Sequence, residues 1–188
     1  MANVFDKRPD SVEYNGTTYA LTLSYDRVLL AFDVQEDAMF TDEQKTELIC
    51  ELLSERVPKS LAEQSGLIKT IFDLFPKSDG SGEKTIDFHQ DAALIRSAFY
   101  RAYGIDLTTQ KIHWFLFAEL LADLPKDTAL MRTVDIRSRP LPKPTKYNRE
   151  EIAELQKAKA RVAIKVSDEK REAAFAKSVK NVFRPGGG

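Results

Sequence analysis

Residues 87–137 read DFHQDAALIRSAFYRAYGIDLTTQKIHWFLFAELLADLPKDTALMRTVDIR and hold the only tryptophan, both histidines and the densest aromatic run of the chain. In the first half of this stretch, apolar residues recur at alternating spacings of four and three, which places them on one face of a helix. These residues are Phe88, Ala92, Ile95, Phe99 and Ala102. Asp87 and Gln90 have the spacing of a capping box at the start of this helix. Gly104 is expected to end it in the left-handed conformation that glycine adopts most easily.

The second half of the stretch predicts another helix, which begins after Asp106 or Thr108. From Ile112 to Leu124 this helix is apolar almost all round. A helix with so little polar surface is normally surrounded by other elements. We therefore predict that it is the central helix of an all-α domain, with Trp114 in the core.

The chain before residue 87 predicts a small β-hairpin followed by three helices. Strand-like residues from Val12 to Tyr19 flank Asn15-Gly16, a pair that favours a type I′ turn. Thr41 with Gln44, and Ser60 with Glu63, have capping-box spacing and mark the starts of the second and third helices. The residues expected to face the core are Tyr25, Val28, Leu29 and Phe32 in the first helix, Leu48, Ile49, Leu52 and Leu53 in the second, and Leu61, Ile68, Ile71, Phe72 and Phe75 in the third.

The C-terminal part of the chain predicts a spacer and an arm. Asp127 is expected to cap one more short helix, so residues 1–137 form a compact helical body of about six helices with the N-terminal hairpin. Residues 138–147 hold three prolines and predict an extended, semi-rigid spacer. Asn148 and Glu151 open a long helix without glycine or proline until Pro185. Residues 148–188 are therefore expected to form a basic helical arm with a disordered end, and the fold class is mainly α.

The charge of the chain divides between these two parts. From Lys143 to Gly188 there are 12 Lys and Arg against 6 Asp and Glu, and the remaining residues have 16 against 23. An acidic body beside a basic arm suggests that the arm contacts a partner. Nucleic acid is a weak candidate for that partner, because acids are interspersed among the cations and no aromatic stacking platform accompanies them.

The chain lacks the residues that several functional classes require. There is no apolar run near 18 residues and no signal peptide, so neither membrane insertion nor secretion is expected. The single cysteine, Cys50, fits a reducing cytosol. No catalytic constellation, zinc-ligand spacing or phosphate-binding glycine motif is present, and a calcium loop with its turn glycine at Gly82 would have Lys77 and Phe88 at ligand positions. We therefore expect no enzyme activity, no cofactor and no metal.

Two groups of apolar residues are candidates for binding a partner. Met39 and Phe40 lie in a loop between acidic residues, where packing onto the next helix is the alternative role. The arm carries a thin apolar stripe that gains little from folding alone and would be stabilised by docking, although a solvated tail helix is equally compatible with it. The residues of this stripe that we select are Ile152, Leu155, Val162, Val166, Val179 and Phe183.

The order of motifs in the chain resembles a phage family. The pattern DFxxDAxxI, then AFxxxYGIDL, then HWFxFxxLLxxLPxDT and a terminal IR is similar to that of the bacteriophage gp-fifteen family, over roughly Val12 to Arg137. In siphophage genomes, genes of that family lie between those for the tail-tube protein and the tape-measure protein. The resemblance carries no catalytic residues.

The resemblance implies a function that the residues alone do not. It implies a tail-assembly chaperone in the host cytoplasm, which binds and shields the tape-measure protein and promotes assembly of the tail-tube protein around it. Self-association is implied as well, and no membrane is involved. The alternative is a structural subunit that is retained in the finished phage tail.

Overall fold

The computed structural model describes residues 7–76 and 84–165. Within them the chain forms two strands and seven helices, in the order β1 (Ser11–Tyr14), β2 (Thr17–Ala20), α1 (Tyr25–Glu36), α2 (Asp42–Leu53), α3 (Leu61–Phe72), α4 (Ala92–Tyr103), α5 (Trp114–Ala122), α6 (Ala129–Ser138) and α7 (Arg149–Val162). The predicted fold class, mainly α with a small N-terminal hairpin, is confirmed.

The hairpin forms as predicted and lies against α3. Asn15 and Gly16 have φ angles of 49° and 72°, as a type I′ turn requires, and they connect the antiparallel strands β1 and β2. Tyr14 reaches across to α3, where a Cβ added to Gly66 would lie only 2.0 Å from the tyrosine hydroxyl oxygen. A glycine at this point of α3 therefore allows the hairpin to approach closely.

An N-terminal core holds the hairpin and α1, α2 and α3 together. The predicted capping box of α2 is confirmed, because Thr41 and Gln44 exchange both of its hydrogen bonds. At α3, Ser60 accepts from the Glu63 N–H, but the Ser60 hydroxyl donates to the Glu63 carboxylate, so the box is only half formed. Leu61, predicted to face the core, is 39% exposed, and that prediction is wrong. The buried members of this core are Tyr19, Leu23, Val28, Ala31, Val34, Ile49, Cys50, Leu53, Leu67 and Ile71.

A C-terminal core is built by α4, α5 and α6. Its buried members are Ile95, Ala98, Phe99, Leu107, Phe117, Leu124 and Leu130. Gly104 ends α4 with a φ of 67°, as predicted. Trp114 is half-buried and packs against both cores, with its ring 5.7 Å from those of Phe32 and Phe117. The indole therefore joins the two halves of the body.

The start of α4 differs from the prediction. The helix begins at Ala92, and Asp87 instead opens the turn of residues 88–91 before it, by accepting from the N–H groups of His89 and Gln90. A full capping box would need the Gln90 side chain to bind the Asp87 N–H. The Asp91 carboxylate takes that N–H at 2.9 Å, so the Gln90 amide is left for another partner.

The start of α5 was also predicted wrongly. Asp106 accepts from the N–H and the hydroxyl of Thr108, but this closes a single turn only. The following residues are extended, because His113 pairs with Ser24 as an isolated β-bridge. Helix α5 therefore begins at Trp114, and only Phe117 in it is fully buried, so the expectation that other elements surround this helix is wrong.

The last two helices also differ from the sequence prediction at their ends. Helix α6 is capped by Thr128, whose hydroxyl accepts from the Met131 N–H, and not by Asp127, which pairs with Arg101. The Asn148 side chain bonds backwards to the spacer and does not cap α7. Helix α7 ends at Val162, so the prediction of one helix that continues unbroken to Pro185 is wrong.

Candidate functional site

The two apolar residues predicted to bind a partner from the loop between α1 and α2 differ in their exposure. Met39 is 87% exposed, and its backbone N–H is bound by the Asp37 carboxylate. Phe40 is half-buried and packs against the N-terminal core. Only Met39 is thus available to a partner, while Phe40 stabilises the fold.

The predicted apolar stripe of the arm lies partly against the body. Helix α7 packs on α6, and Ile152, Leu155 and Val162 are half-buried. Leu155 lines a groove of about 720 Å³ between α6, the spacer and α7, together with Ile136, two prolines and several charged residues. The other three stripe residues, Val166, Val179 and Phe183, lie outside the described residues.

Arg137 fastens the arm to the body. Its Nε donates to the Val162 carbonyl oxygen at 2.6 Å, where α7 ends. The Lys159 ammonium group donates in return to the Arg137 carbonyl oxygen at 2.6 Å. Because both bonds involve backbone carbonyls, they hold the position of α7 without depending on its apolar side chains.

The guanidinium of Arg137 is itself held by a buried ion pair. It binds both carboxylate oxygens of Asp91, and it also donates to the Thr85 carbonyl oxygen. The side chains of Arg137 and Asp91 are only 7% and 2% exposed. Burial by itself raises the pKa of Asp91, but the hydrogen bonds and charge of Arg137 and the bond from the Asp87 N–H outweigh it and lower this pKa below its ordinary value. The pair is therefore ionised at neutral pH.

Gln90 makes the last described contact with the arm. Its Nε2 donates to the Ala163 carbonyl oxygen and its Oε1 accepts from the Lys165 N–H, both at 2.9 Å. The primary amide thus pairs with the backbone just beyond α7 in the manner of a neighbouring strand. The Asp87 N–H is bound by Asp91, so the Gln90 side chain does not bind it and is free to bind the arm backbone.

An apolar groove of about 350 Å³ runs along α5 and α6, open on one side. None of the residues that line it is charged. They are Ile86, Phe88, Trp114, Phe117, Ala118, Leu121, Ala122, Met131 and Val134, and we call this set the apolar groove. Concave sites lined by apolar side chains are where proteins commonly bind ligands and other chains.

The titratable residues highlighted in the sequence have structural partners. His113 accepts from the Phe115 N–H through Nδ1 and lies 3.1 Å from the Pro9 carbonyl oxygen through Nε2, so both ring nitrogens have a partner. His89 pairs with Asp33 at the surface. Cys50 is buried, and burial raises the pKa of its thiol to about 11, which leaves it unreactive.

Two negative findings concern residues 7–76 and 84–165. No group of three or more His, Cys, Asp and Glu side chains in these ranges is placed to hold a metal ion. No helix within them is long and apolar enough to cross a bilayer.

Sequence reasoning missed the residues that fasten the arm. Asp91 and Arg137 stand in the quoted motifs DFxxDAxxI and IR, so a signal was present, but their distance in the chain concealed the pairing. Nothing in the sequence marks Gln90 as a partner of Lys165. The apolar groove was missed because α5, which supplies five of its residues, was expected to be surrounded by other elements.

One of three comparisons with known proteins, the match to a family model, agrees with the resemblance. A search of curated proteins and a search of solved structures gave no match. The family model described as "Bacteriophage Gp15 protein" matches residues 4–164, which extends past Arg137 and takes in the whole of α7. The family is one of structural or assembly type and is not known as enzymatic. The chain therefore belongs to the bacteriophage Gp15 protein family, and it is a phage structural or assembly protein.

Proposed function

We propose that the chain is a tail-assembly chaperone, which binds and shields apolar segments of the tape-measure protein while the tail tube assembles. The observation that carries this proposal is the apolar groove along α5 and α6. Its aromatic residues are Phe88 and Trp114, which are half-buried and can contact a client, and Phe117, which is fully buried beside them. Exposed apolar grooves of this kind bind the apolar face of a partner helix.

The chemistry of the described residues supports binding over catalysis. The histidines and the Asp91–Arg137 pair have structural partners, and the Cys50 thiol is buried with a raised pKa. A tape-measure protein is long and must not aggregate before the tube surrounds it, so a protein that covers apolar segments reversibly meets that need.

A coexpression experiment tests the groove. The full chain and a fragment of the tape-measure protein are produced together, and the amount of soluble fragment is measured. Leu121→Asp places a charge in the apolar groove and should abolish most of the rescue, because burying an unpaired carboxylate against a client is costly. Leu30→Asp is the matched control, since Leu30 is 49% exposed on α1, away from the groove. Equal rescue by the two variants would contradict the proposal.

The arm residues provide a second candidate surface for the same client. Val179→Asp with Phe183→Asp would abolish rescue if the arm held the client, and Leu121→Asp would then leave it intact. Met39→Asp tests the loop between α1 and α2 in the same assay. The pattern of losses assigns the client to one of the three surfaces.

A different measurement distinguishes the chaperone from the alternative, a structural subunit that is retained in the phage tail. A chaperone is released, so mass spectrometry of purified virions should find the chain missing or far below the tail-tube protein in amount. A stoichiometric presence in the virion would favour the structural role.

A further inference from the structure

One short segment, residues 84–91, contacts both the arm and the apolar groove. It forms neither a helix nor a strand, so its position depends on the contacts of its individual residues. Ile86 and Phe88 are the groove residues that it contributes, and we call these two the groove wall. Gln90 binds the arm backbone just beyond α7. A change at the arm can therefore reach the groove along a few residues of backbone.

Helix α6 makes a second connection between the arm and the groove. Met131 and Val134 on this helix line the apolar groove, and Arg137 donates to the carbonyl oxygen at the end of α7. The same guanidinium donates to the Thr85 carbonyl oxygen at 2.8 Å. Arg137 thus ties α6, the arm and residues 84–91 together at one point.

Helix α7 is the element of this arrangement that can leave. Among the described elements it packs on α6 alone, and none of its residues is buried. A groove of about 720 Å³ lies between α6, the spacer and α7, so undocking would expose little buried apolar area. The hydrogen bonds of Gln90, Arg137 and Lys159 hold the helix in place. Elements with few buried apolar contacts open at a low free energy, so the arm has a docked and an undocked state.

We propose that docking of the arm fixes the groove wall, so that the arm controls how well the apolar groove binds. With the arm docked, Gln90 and Arg137 hold residues 84–91 in place. Ile86 and Phe88 then keep one position beside α5, and a wall that is already in position lowers the entropic cost of binding. The control of a client site rests on the proposed function, whereas the coupling between arm and groove does not.

Release of the arm removes part of this support. Gln90 then loses both of its bonds to the arm backbone, and Arg137 loses its acceptor at the end of α7. The end of α7 also lies beside the Arg137 side chain, so water gains access to the ion pair with Asp91 once the arm leaves. Because coupling between two sites is reciprocal, a ligand that needs the groove wall in position stabilises the docked arm in turn.

The single tryptophan reports on the groove wall. Trp114 lines the groove, and its ring lies 6.5 Å from that of Phe88. Gln90→Ala with Lys159→Ala removes bonds that hold the arm and alters no groove residue. This variant should raise the constant for quenching of Trp114 by acrylamide and shift its emission to the red, because a loosened wall admits water and quencher.

A matched control separates the effect of the arm from that of losing two polar side chains. Gln110→Ala with Lys157→Ala changes the same residue types. Lys157 lies on α7 as well, but it pairs with Glu154 at the surface, and Gln110 is exposed. This control should leave the quenching constant and the emission unchanged, and urea unfolding checks that both variants are folded.

Amide exchange tests the coupling in the opposite direction. Phe88→Leu alters the groove wall and should speed the exchange of the Lys165 amide, whose N–H is bound by Gln90. Phe32→Leu is the control, because the Phe32 ring contacts Trp114 at 5.7 Å from the N-terminal core and has no bond to residues 84–91 or to the arm. It should leave the exchange at Lys165 unchanged.

Two results would overturn the coupling. Equal quenching of Trp114 in the arm variant and in its control would mean that the groove wall does not depend on the arm. Equal exchange at Lys165 in Phe88→Leu and Phe32→Leu would mean that the arm does not respond to the groove wall.

The client assay separates this inference from the proposed function. With a tape-measure fragment present, Gln90→Ala with Lys159→Ala should keep less fragment soluble than Gln110→Ala with Lys157→Ala. If no form of the protein rescues the fragment while the quenching difference persists, the proposed function fails and the coupling stands. If the unaltered chain rescues the fragment and the two variants quench alike, the proposed function stands and the coupling fails.

Discussion

The N-terminal and C-terminal halves of the body are held in different ways. From β1 to α3, β1 pairs with β2 and α2 packs on both α1 and α3, and the caps of α2 and α3 bond residues three positions apart. From α4 to α7, the decisive polar contacts join residues far apart, 46 positions for Asp91 with Arg137 and 75 for Gln90 with Lys165. Local contacts can be recognised from sequence spacing, whereas distant ones depend on the completed fold.

The largest expected effect on stability comes from breaking the buried ion pair between Asp91 and Arg137. Arg137→Leu should lower the free energy of unfolding by about 3–5 kcal/mol, because it leaves the Asp91 carboxylate buried without its partner. Arg139→Leu is the control, since Arg139 pairs with Asp135 at the surface and its loss should cost at most about 1 kcal/mol. Both values come from urea unfolding.

A double variant sharpens that test. Arg137→Leu with Asp91→Leu removes both charges and should recover part of the loss, because an apolar pair has no charge to desolvate. If Arg137→Leu alone costs no more than Arg139→Leu, the C-terminal half does not depend on this pair.

The second test is the dependence of stability on pH. The hydrogen bond from the Gln90 N–H, together with Lys84, lowers the pKa of Asp87 from 3.8 to about 2 against the opposing effect of burial. The folded pKa lies below the unfolded one, so this stabilisation is present above about pH 4 and is lost as the pH falls towards 2. Its size is about 2 kcal/mol.

Denaturation of the unaltered chain and of Asp87→Asn across this range measures the effect. The stability curve of Asp87→Asn should be flatter between pH 4 and 2 than that of the unaltered chain. Parallel curves would show that Asp87 does not contribute to acid unfolding of the C-terminal half.

The third test concerns a local contact in the N-terminal half. Thr41→Ala should cost about 1 kcal/mol, because the Gln44 N–H at the start of α2 loses its acceptor. Gln44→Ala removes only the reciprocal bond, to the Thr41 N–H, and should cost less. Thermal unfolding compares the two, and the reverse order would contradict the capping box as described.

The smallest expected effect is at the junction with the arm. Gln90→Ala removes two hydrogen bonds near the surface and should change global stability by less than about 1 kcal/mol. Amide exchange of Lys165 should nevertheless become faster, because its N–H loses the acceptor. Gln110→Ala, at another exposed glutamine, is the control. Unchanged exchange at Lys165 would mean that Gln90 does not hold the arm.

The position of α5 shows why sequence reasoning succeeded in one half and failed in part of the other. Asp106 and Thr108 have the spacing of a helix start, and they do form a turn. The next residues do not continue it, because the Leu23 carbonyl oxygen binds the Trp114 N–H at 2.7 Å and keeps His113 extended. Leu23, which lies 91 positions earlier in the chain, decides where this helix begins.

The sequence by itself determined the fold class, the hairpin turn at Asn15-Gly16, the cap of α2 and the end of α4 at Gly104. The fold class follows from the apolar periodicity of whole segments. The other three features depend on one residue, on two adjacent residues or on two residues three positions apart, whose conformational preference acts before any tertiary contact forms. The tertiary structure alone decided that Asp91 pairs with Arg137, that Gln90 binds the backbone at Lys165, and that one face of α5 stays open as the apolar groove. These features depend on which side chains meet after packing, and periodicity distinguishes an apolar face from a polar one without showing which apolar face will be covered.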